Sequence, residues 1–333
     1  MKKKQYLRNA LLLLTGMIWG SGFVGQRLGM ETEVGPITFN AARMLLAGLF
    51  ISLVIVVMDM AGRRMKTGSQ RRIETAANAV RDDQKYTVIG GVCCGAVLAA
   101  GATFQQAGIV YTEAGKAGFI TAMYILLVPI INFLFFRKKN TWIVWFAVVV
   151  GVAGMYLLCV HEGFSFSKGD LLLLACALFF SFHILCCDYF VQRGNAVRIS
   201  AIQFFTCALL SGIIAQIVEH PTWEQTYTAI LPILYLGVVS GGIGFTLQIV
   251  GQQFTEPTIA SLLMSTESVF AVIFGALFLH EHMSGRETIG CLLIFTAIIL
   301  AQAPIPVKKR KELARCVIGG HIGRSVRQNL GIL

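Results

Sequence analysis

The chain has 333 residues, of which 56% are hydrophobic and only 14% charged, and its formal net charge is +11. Soluble domains carry about 25% charged residues, so the composition excludes an ordinary soluble protein and overrules any domain count taken from length. The positive charge does not point to nucleic acid either, because the basic residues sit at the ends of apolar segments rather than on one face.

A helix rises about 1.5 Å per residue, so a hydrocarbon core of roughly 30 Å needs about 20 apolar residues. By that measure an all-α integral membrane protein of ten transmembrane helices is predicted. Lys2, Lys3 and Lys4 precede the first apolar run in the manner of a signal peptide, but no small-x-small cleavage site follows. The run Leu7–Gln26 is therefore expected to be an uncleaved first span. The next four predicted spans are Pro36–Met58, Thr87–Ala107, Ala117–Phe136 and Trp142–Val160. Five more follow at Gly169–Phe190, Ser200–Val218, Ala229–Val250, Thr258–Leu279 and Glu287–Ala303. The third and eighth are glycine-rich. Between spans two and three, Ile73, Ala76, Ala77 and Val80 fall at helical spacing in the loop Gly62 to Lys85. That loop is expected to be either a short surface helix or a solvated basic segment beside anionic lipid.

Loop charge gives the orientation. Twenty-three of the 28 basic residues fall on one side of the ten spans, whereas the other side holds Arg27, Lys116, Lys168 and Arg286. Arg43 lies within the second span. The poorly basic side carries acids instead: Glu31, Glu33, Glu162, Glu219 and Glu224. The positive-inside rule then puts both termini, and the basic tail 306–333, in the cytoplasm of a bacterial cell, with the chain in its inner (plasma) membrane.

A shift of 143 positions brings two stretches into register. Gln105, Gly108, Thr112 and Glu113 fall on Gln248, Gly251, Thr255 and Glu256, and Tyr124 falls opposite Glu267. The match lies at the junction of the third and fourth spans of each half. Five spans per half is odd, so the second copy enters the membrane upside down, a recurrent build for secondary transporters. The expected division is two inverted five-helix repeats, 1–160 and 161–305, followed by the tail.

Glu267 sits in the middle of an apolar span, where a carboxylate costs several kcal/mol unless it faces protein or water. It is either a protonatable or cation-binding group on a transport path, or a neutral acid bonded to a neighbouring helix. Arg43 suits an anionic substrate group, a helix end, or a structural partner. His183 and Asp188 share one helix, and they are read as a proton relay or as a packed histidine with an interfacial aspartate. Gln105, Gln106 and Gln248 are placed to bond a solute or a neighbouring helix. Trp19, Phe23 and Tyr124 either line a cavity or simply pack. Glu113 and Glu256 precede helices and are expected to cap them, with Pro257 at the first turn of the second. Glycines at Gly16-x-x-x-Gly20 and Gly151-x-x-Gly154 allow close helix approach. Eight of the nine cysteines lie in apolar segments, and vicinal pairs such as Cys93-Cys94 point around a helix, so they are read as small packing residues.

These residues resemble the EamA-domain carriers of the drug/metabolite transporter superfamily, over about residues 7 to 303. The resemblance rests on Trp19-Gly20, Arg43, the stretch from Gln105 to Glu113, and Glu267-Ser-Val-Phe-Ala. It also rests on His280-Glu281-His282 followed by Ile289-Gly290. One departure is Arg137-Lys138-Lys139, which stands where an acidic residue often closes the fourth span and makes the halves chemically unequal. The resemblance implies ten helices, two repeats and transport of small metabolites such as amino acids.

The function expected is a secondary transporter, an exporter working by alternating access and driven by the substrate gradient or a coupled proton or other ion. A passive channel or a non-transporting scaffold is the alternative. Substrate contacts are expected from Glu267, Tyr124, Trp19, Gln105, Gln248, Arg43 and His183. The chain has no HExxH, GxSxG or P-loop signature, so neither an enzyme nor a nucleotide-driven pump is expected, and no cofactor or metal. The partners expected are a small-molecule substrate and the lipid bilayer, with no nucleic acid; a monomer or homodimer is expected.

Overall fold

The computed structural model describes residues 2–65, 84–112, 114–137, 141–159, 167–278 and 285–301. These residues are helical or connecting, with no strand among them. The first helices are α1 (Lys2–Met30), α2 (Pro36–Met65) and α3 (Gln84–Ile109). The fourth predicted span is two helices, α4 (Ala114–Thr121) and α5 (Tyr124–Phe136), followed by α6 (Trp142–Cys159). The second half begins with α7 (Lys168–Val191), α8 (Ala196–Val218) and two short helices, α9 (Trp223–Thr228) and α10 (Ile230–Tyr235). A π-helical segment, Leu236–Phe245, leads into α11 (Thr246–Gln252). The ninth predicted span is again two helices, α12 (Pro257–Met264) and α13 (Glu267–Phe278), and α14 (Gly285–Ala301) closes the described part.

Seven helical stretches among the described residues are long and apolar enough to cross a membrane, and two shorter apolar helices, Trp142–Gly154 and Thr288–Ala297, accompany them. The first predicted span lies within α1, whose 29 residues mix a leucine run with Gly, Ser, Thr and Gln. Large apolar side chains face outward on many helices, among them Leu53 at 62% exposed, Phe135 at 71% and Leu231 at 75%. So extensive an apolar surface is unstable in water and suits lipid. The chain is a multi-pass membrane protein.

Three expectations are corrected. Spans four and nine are broken rather than continuous, as described below. Span eight is not plain α-helix: its glycines Gly237, Gly241, Gly242 and Gly244 lie in the π-helical turns. With no side chains at these positions, neighbouring helices come close; a methyl at Gly237 would lie 2.7 Å from Leu46 Cδ2. Glu256 is the residue before α12, with Pro257 at the first turn, but its exposed side chain makes no capping hydrogen bond. A glutamate is a methylene longer than the Asp, Asn, Ser and Thr that turn back on N2 or N3. The capping role read for Glu113 and the helix considered within Gly62 to Lys85 fall on, or largely on, residues outside the described ones.

Helix packing pairs distant parts of the chain. α2 lies along α8, α3 along both α7 and α8, α6 along α14, and α1 along α13. Small residues set these approaches. A methyl at Gly154 would stand 2.7 Å from the Gly290 carbonyl oxygen, and one at Gly95 would stand 2.6 Å from that of Gln203. Dispersion between closely packed backbones, rather than hydrophobic burial, holds such helices together in lipid.

Candidate functional site

The two breaks share a common backbone pattern. In the first, Ala122 N donates to Gly118 O, Met123 N to Ile120 O and Ile125 N to Ala122 O. In the second, Ser265 N donates to Ser261 O, Thr266 N to Leu263 O and Ser268 N to Ser265 O. Every donor and acceptor in one set is 143 positions from its counterpart in the other. No proline or glycine stands at either break. At the second, hydroxyls also bond to the carbonyls of the break: Ser265 Oγ donates to Leu262 O, Thr266 Oγ1 to Leu263 O and Ser268 Oγ to Ser265 O, each at 2.8 Å. Such local bonds compete with the helix ladder and satisfy backbone that lipid cannot.

Glu267 is the first residue of α13 and Tyr124 the first of α5, and both are buried. Their side chains lie next to one another in the interior. They are neighbours without a well-formed hydrogen bond, since the Tyr124 hydroxyl and Glu267 Oε1 both lack a partner of proper geometry. The helix α1 presses on this point through its glycines. A methyl at Gly16 would stand 3.0 Å from Met264 O, and one at Gly20 would stand 2.7 Å from Glu267 O. Gly118 of α4 faces Ala271 of α13 and the Phe23 ring at 3.5 and 3.6 Å, measured from the place of a Cβ.

Arg43 on α2 is 3% exposed. Its Nε donates to Asn40 Oδ1 at 3.1 Å, and Asn40 Nδ2 in turn donates to Ser211 Oγ on α8 at 3.0 Å. Among the described residues it has no carboxylate partner. Cys176 on α7 is buried beside Thr121 at the first break.

An aromatic cluster stands where α1 meets the π-helical segment. Trp19 Nε1 donates to Ser240 O at 3.3 Å, and its ring lies 4.6 Å from that of Phe245. Phe245 also meets His183 edge-on at 5.9 Å and Phe204 at 6.1 Å. His183 is bonded to Gln203 of α8 at 3.0 Å and approaches Cys187 Sγ at 3.5 Å. Its polar contacts are thus with Gln203 of the next helix and Cys187 one turn along its own. Cys187 Sγ is also 3.8 Å from Cys94 Sγ, and both thiols are free.

Glu267 and Tyr124 therefore come together, Trp19 and His183 meet at Phe245, and Arg43 is bonded to Asn40. Gln105 and Gln248 are buried, but no hydrogen bond among the described residues ties either to these groups. Both amide atoms of Gln248 and of Gln106 lack partners, as do Gln26 Oε1 and Gln203 Nε2. Each such buried group costs about 1–3 kcal/mol unless a partner supplies the missing bond. Phe245 and Cys176 were not singled out by sequence: nothing separates an aromatic or a cysteine in an apolar run from ordinary packing.

The EamA-like transporter family matches this chain twice, over residues 8–160 and 167–302. An "Uncharacterized transporter" of Archaeoglobus fulgidus is 28% identical over 293 residues, covering 87% of this chain and 83% of the relative. "Uncharacterized transporter YoaV" of Bacillus subtilis is 21% identical over 289 residues, covering 85% and 92%. A solved structure named only "Crystal structure of protein" superposes with a TM-score of 0.67 at 18% identity, over 88% of this chain and 96% of that one. At that identity the likeness concerns the fold.

Proposed function

The chain belongs to the EamA-like transporter family, and from that premise we propose that it is a secondary carrier exporting small metabolites by alternating access. That it is a membrane transporter follows from the family and its transporter relatives. The finer reading is carried by one observation: the matched helix breaks, 143 positions apart, that set Tyr124 and Glu267 side by side in the interior. Carriers with inverted repeats hold their solute near the midplane at such discontinuous helices.

Exchanged contacts support ten spans in two inverted repeats. Gly16 meets Met264 at one break, and Cys176 meets Thr121 at the other. Asn9 accepts from Thr255 Oγ1 at 3.3 Å, while Gly169 abuts Thr112 Oγ1. In both pairs the first partners differ by 160 positions and the second by 143, with the spacing altered by the longer loop of the first half.

Arg43, buried without a carboxylate partner, suits the anionic group of a solute. Glu267 suits its cationic group or a coupled proton. An amino acid offers both groups, and the aromatic cluster of Trp19 and Phe245 suits its side chain. No part of this arrangement supplies a nucleophile activated for chemistry, which favours a carrier over an enzyme.

Purified protein in liposomes tests the proposal. Saturable uptake and counterflow of labelled amino acids are expected. Ohmic, unsaturable flux would instead make it a channel, and a chemically altered solute an enzyme.

A further inference from the structure

The antiparallel helices α2 and α8 meet at both ends through polar contacts. At one end Glu219, just past α8, accepts from Ile37 N at 2.8 Å, Thr38 N at 2.7 Å and Thr38 Oγ1 at 2.6 Å. At the other end Arg198, in the first turn of α8, reaches Asp59 of α2 with Nη2 3.4 Å from Oδ2. Residue numbers 38 and 198 differ by 160, and so do 59 and 219. This is the same shift that relates Asn9 to Gly169 and Gly16 to Cys176. The two contacts thus occupy one place in the two halves.

Their chemistry differs for a local reason. The first turn of a helix has N–H groups with no partner inside the helix, and an acid placed there is stabilised. At α8 that need is met internally, because Asn195 Oδ1 accepts from Arg198 N at 3.1 Å. At α2 the corresponding residue is Gly35, which has no side chain to cap with. The Glu219 carboxylate fills its place from across the interface: a methyl on Gly35 would overlap Glu219 Cδ and stand 2.8 Å from Oε1. A cavity of about 210 Å³ opens beside this contact, lined by Glu33, Thr38, Pro221 and Gln225 among others. The Asp59 end is looser, with one contact between side chains 53% and 54% exposed.

We propose that Glu219–Thr38 and Asp59–Arg198 are two gate latches at opposite ends of the α2–α8 pair, released in turn as the carrier changes the side to which its interior opens. The latches rest on the alternating-access reading given above. In this structure the Glu219 latch is engaged through three hydrogen bonds and the Asp59 latch through a single contact between exposed side chains. Glu219 and Asp59 are positioning residues, since neither touches Glu267 or Arg43.

The test reads access directly and needs no substrate. Cys207 of α8 is fully buried, 3.9 Å from Asn40 Nδ2, and serves as the reporter. Oriented vesicles are treated on one face with a membrane-impermeant methanethiosulfonate, and peptide mass spectrometry reads the modified fraction of Cys207. Glu219→Ala is expected to raise modification from the Glu219 face about tenfold, on the scale of losing a hydrogen-bonded charge. Gly35→Ala, which keeps the carboxylate but takes its place, is expected to do the same. Asp59→Ala should leave access from the Glu219 face unchanged. Unaltered access from that face in both Glu219→Ala and Gly35→Ala would overturn the latch. A protein that shows these changes yet no counterflow would keep its latches and lose the carrier reading instead.

Discussion

Tyr124 and Glu267 stand at the same place in two broken helices, each the first residue after its break, and their side chains are neighbours in the interior. The backbone around them shares a common pattern, but one position carries a phenol and the other a carboxylic acid. A pseudo-symmetric frame thereby holds a chemically one-sided centre. Symmetry of frame suits a change of access, whereas asymmetry of side chains suits recognition of a solute with unlike ends.

The closeness of α1 to that centre should be costly to disturb. A methyl at Gly20 would overlap Phe270 Cβ and lie 2.7 Å from Glu267 O and 2.8 Å from Ala271 N, mostly against backbone that cannot yield locally. Gly20→Ala is expected to destabilise the protein by about 1–3 kcal/mol, the range for overpacking a close contact. Thermal unfolding in detergent measures it, with Gly285→Ala as the control, since nothing lies within 4 Å of that position. Equal melting of the two variants would contradict the packing described.

Arg43 offers a second test. Its guanidinium is held by Asn40 through Nε alone among the described residues. Arg43→Gln is expected to raise the KM for a carboxylate-bearing solute at least about tenfold, as lost charge-assisted hydrogen bonds would. The uncharged amide of the same solute should be carried about as well as by the unaltered protein. A parallel loss for both compounds would make Arg43 a brace rather than a binding group.

Much of this was legible in the sequence because membranes impose simple rules. Apolar length predicted most spans, and the repeat around Gln105 and Gln248 set Tyr124 opposite Glu267. Glu267 stood out because a carboxylate is rare at that depth. The breaks themselves were hidden, since Ala122-Met123 is apolar and Ser265-Thr266 is helix-compatible; only the tertiary contacts of α1 and α7 decide them. The π-helical turns were equally hidden, as glycines in a span predict close approach without saying how the ladder winds. His183 paired with Gln203 of the next helix, a contact that periodicity along one helix does not encode.

The orientation can be checked without any solute. Cysteine placed by Glu31→Cys should react with an impermeant reagent added outside intact cells, and cysteine placed by Gly68→Cys only after the inner face is exposed. This is the pattern required by 23 basic residues on one side against four on the other. The reverse pattern would overturn the orientation read from the loop charges.

Glu267→Gln separates coupling from structure. The glutamine keeps the size and one carbonyl acceptor beside Tyr124 but neither binds nor releases a proton in the working range. If the carboxyl carries the coupling proton, the variant should lose accumulation driven by a pH gradient, since no carboxyl group remains at the breaks among the described residues to link proton movement to the change of access. It should still exchange labelled for unlabelled solute across the membrane, because exchange needs only the binding groups and the moving frame. Uptake into liposomes with an imposed pH gradient and counterflow without one measure the two quantities on the same preparation. A variant that keeps the pH-driven accumulation of the unaltered protein would place the proton elsewhere and leave Glu267 as a brace between α13 and α5. A variant that loses exchange as well would make the carboxylate a contact for the solute itself.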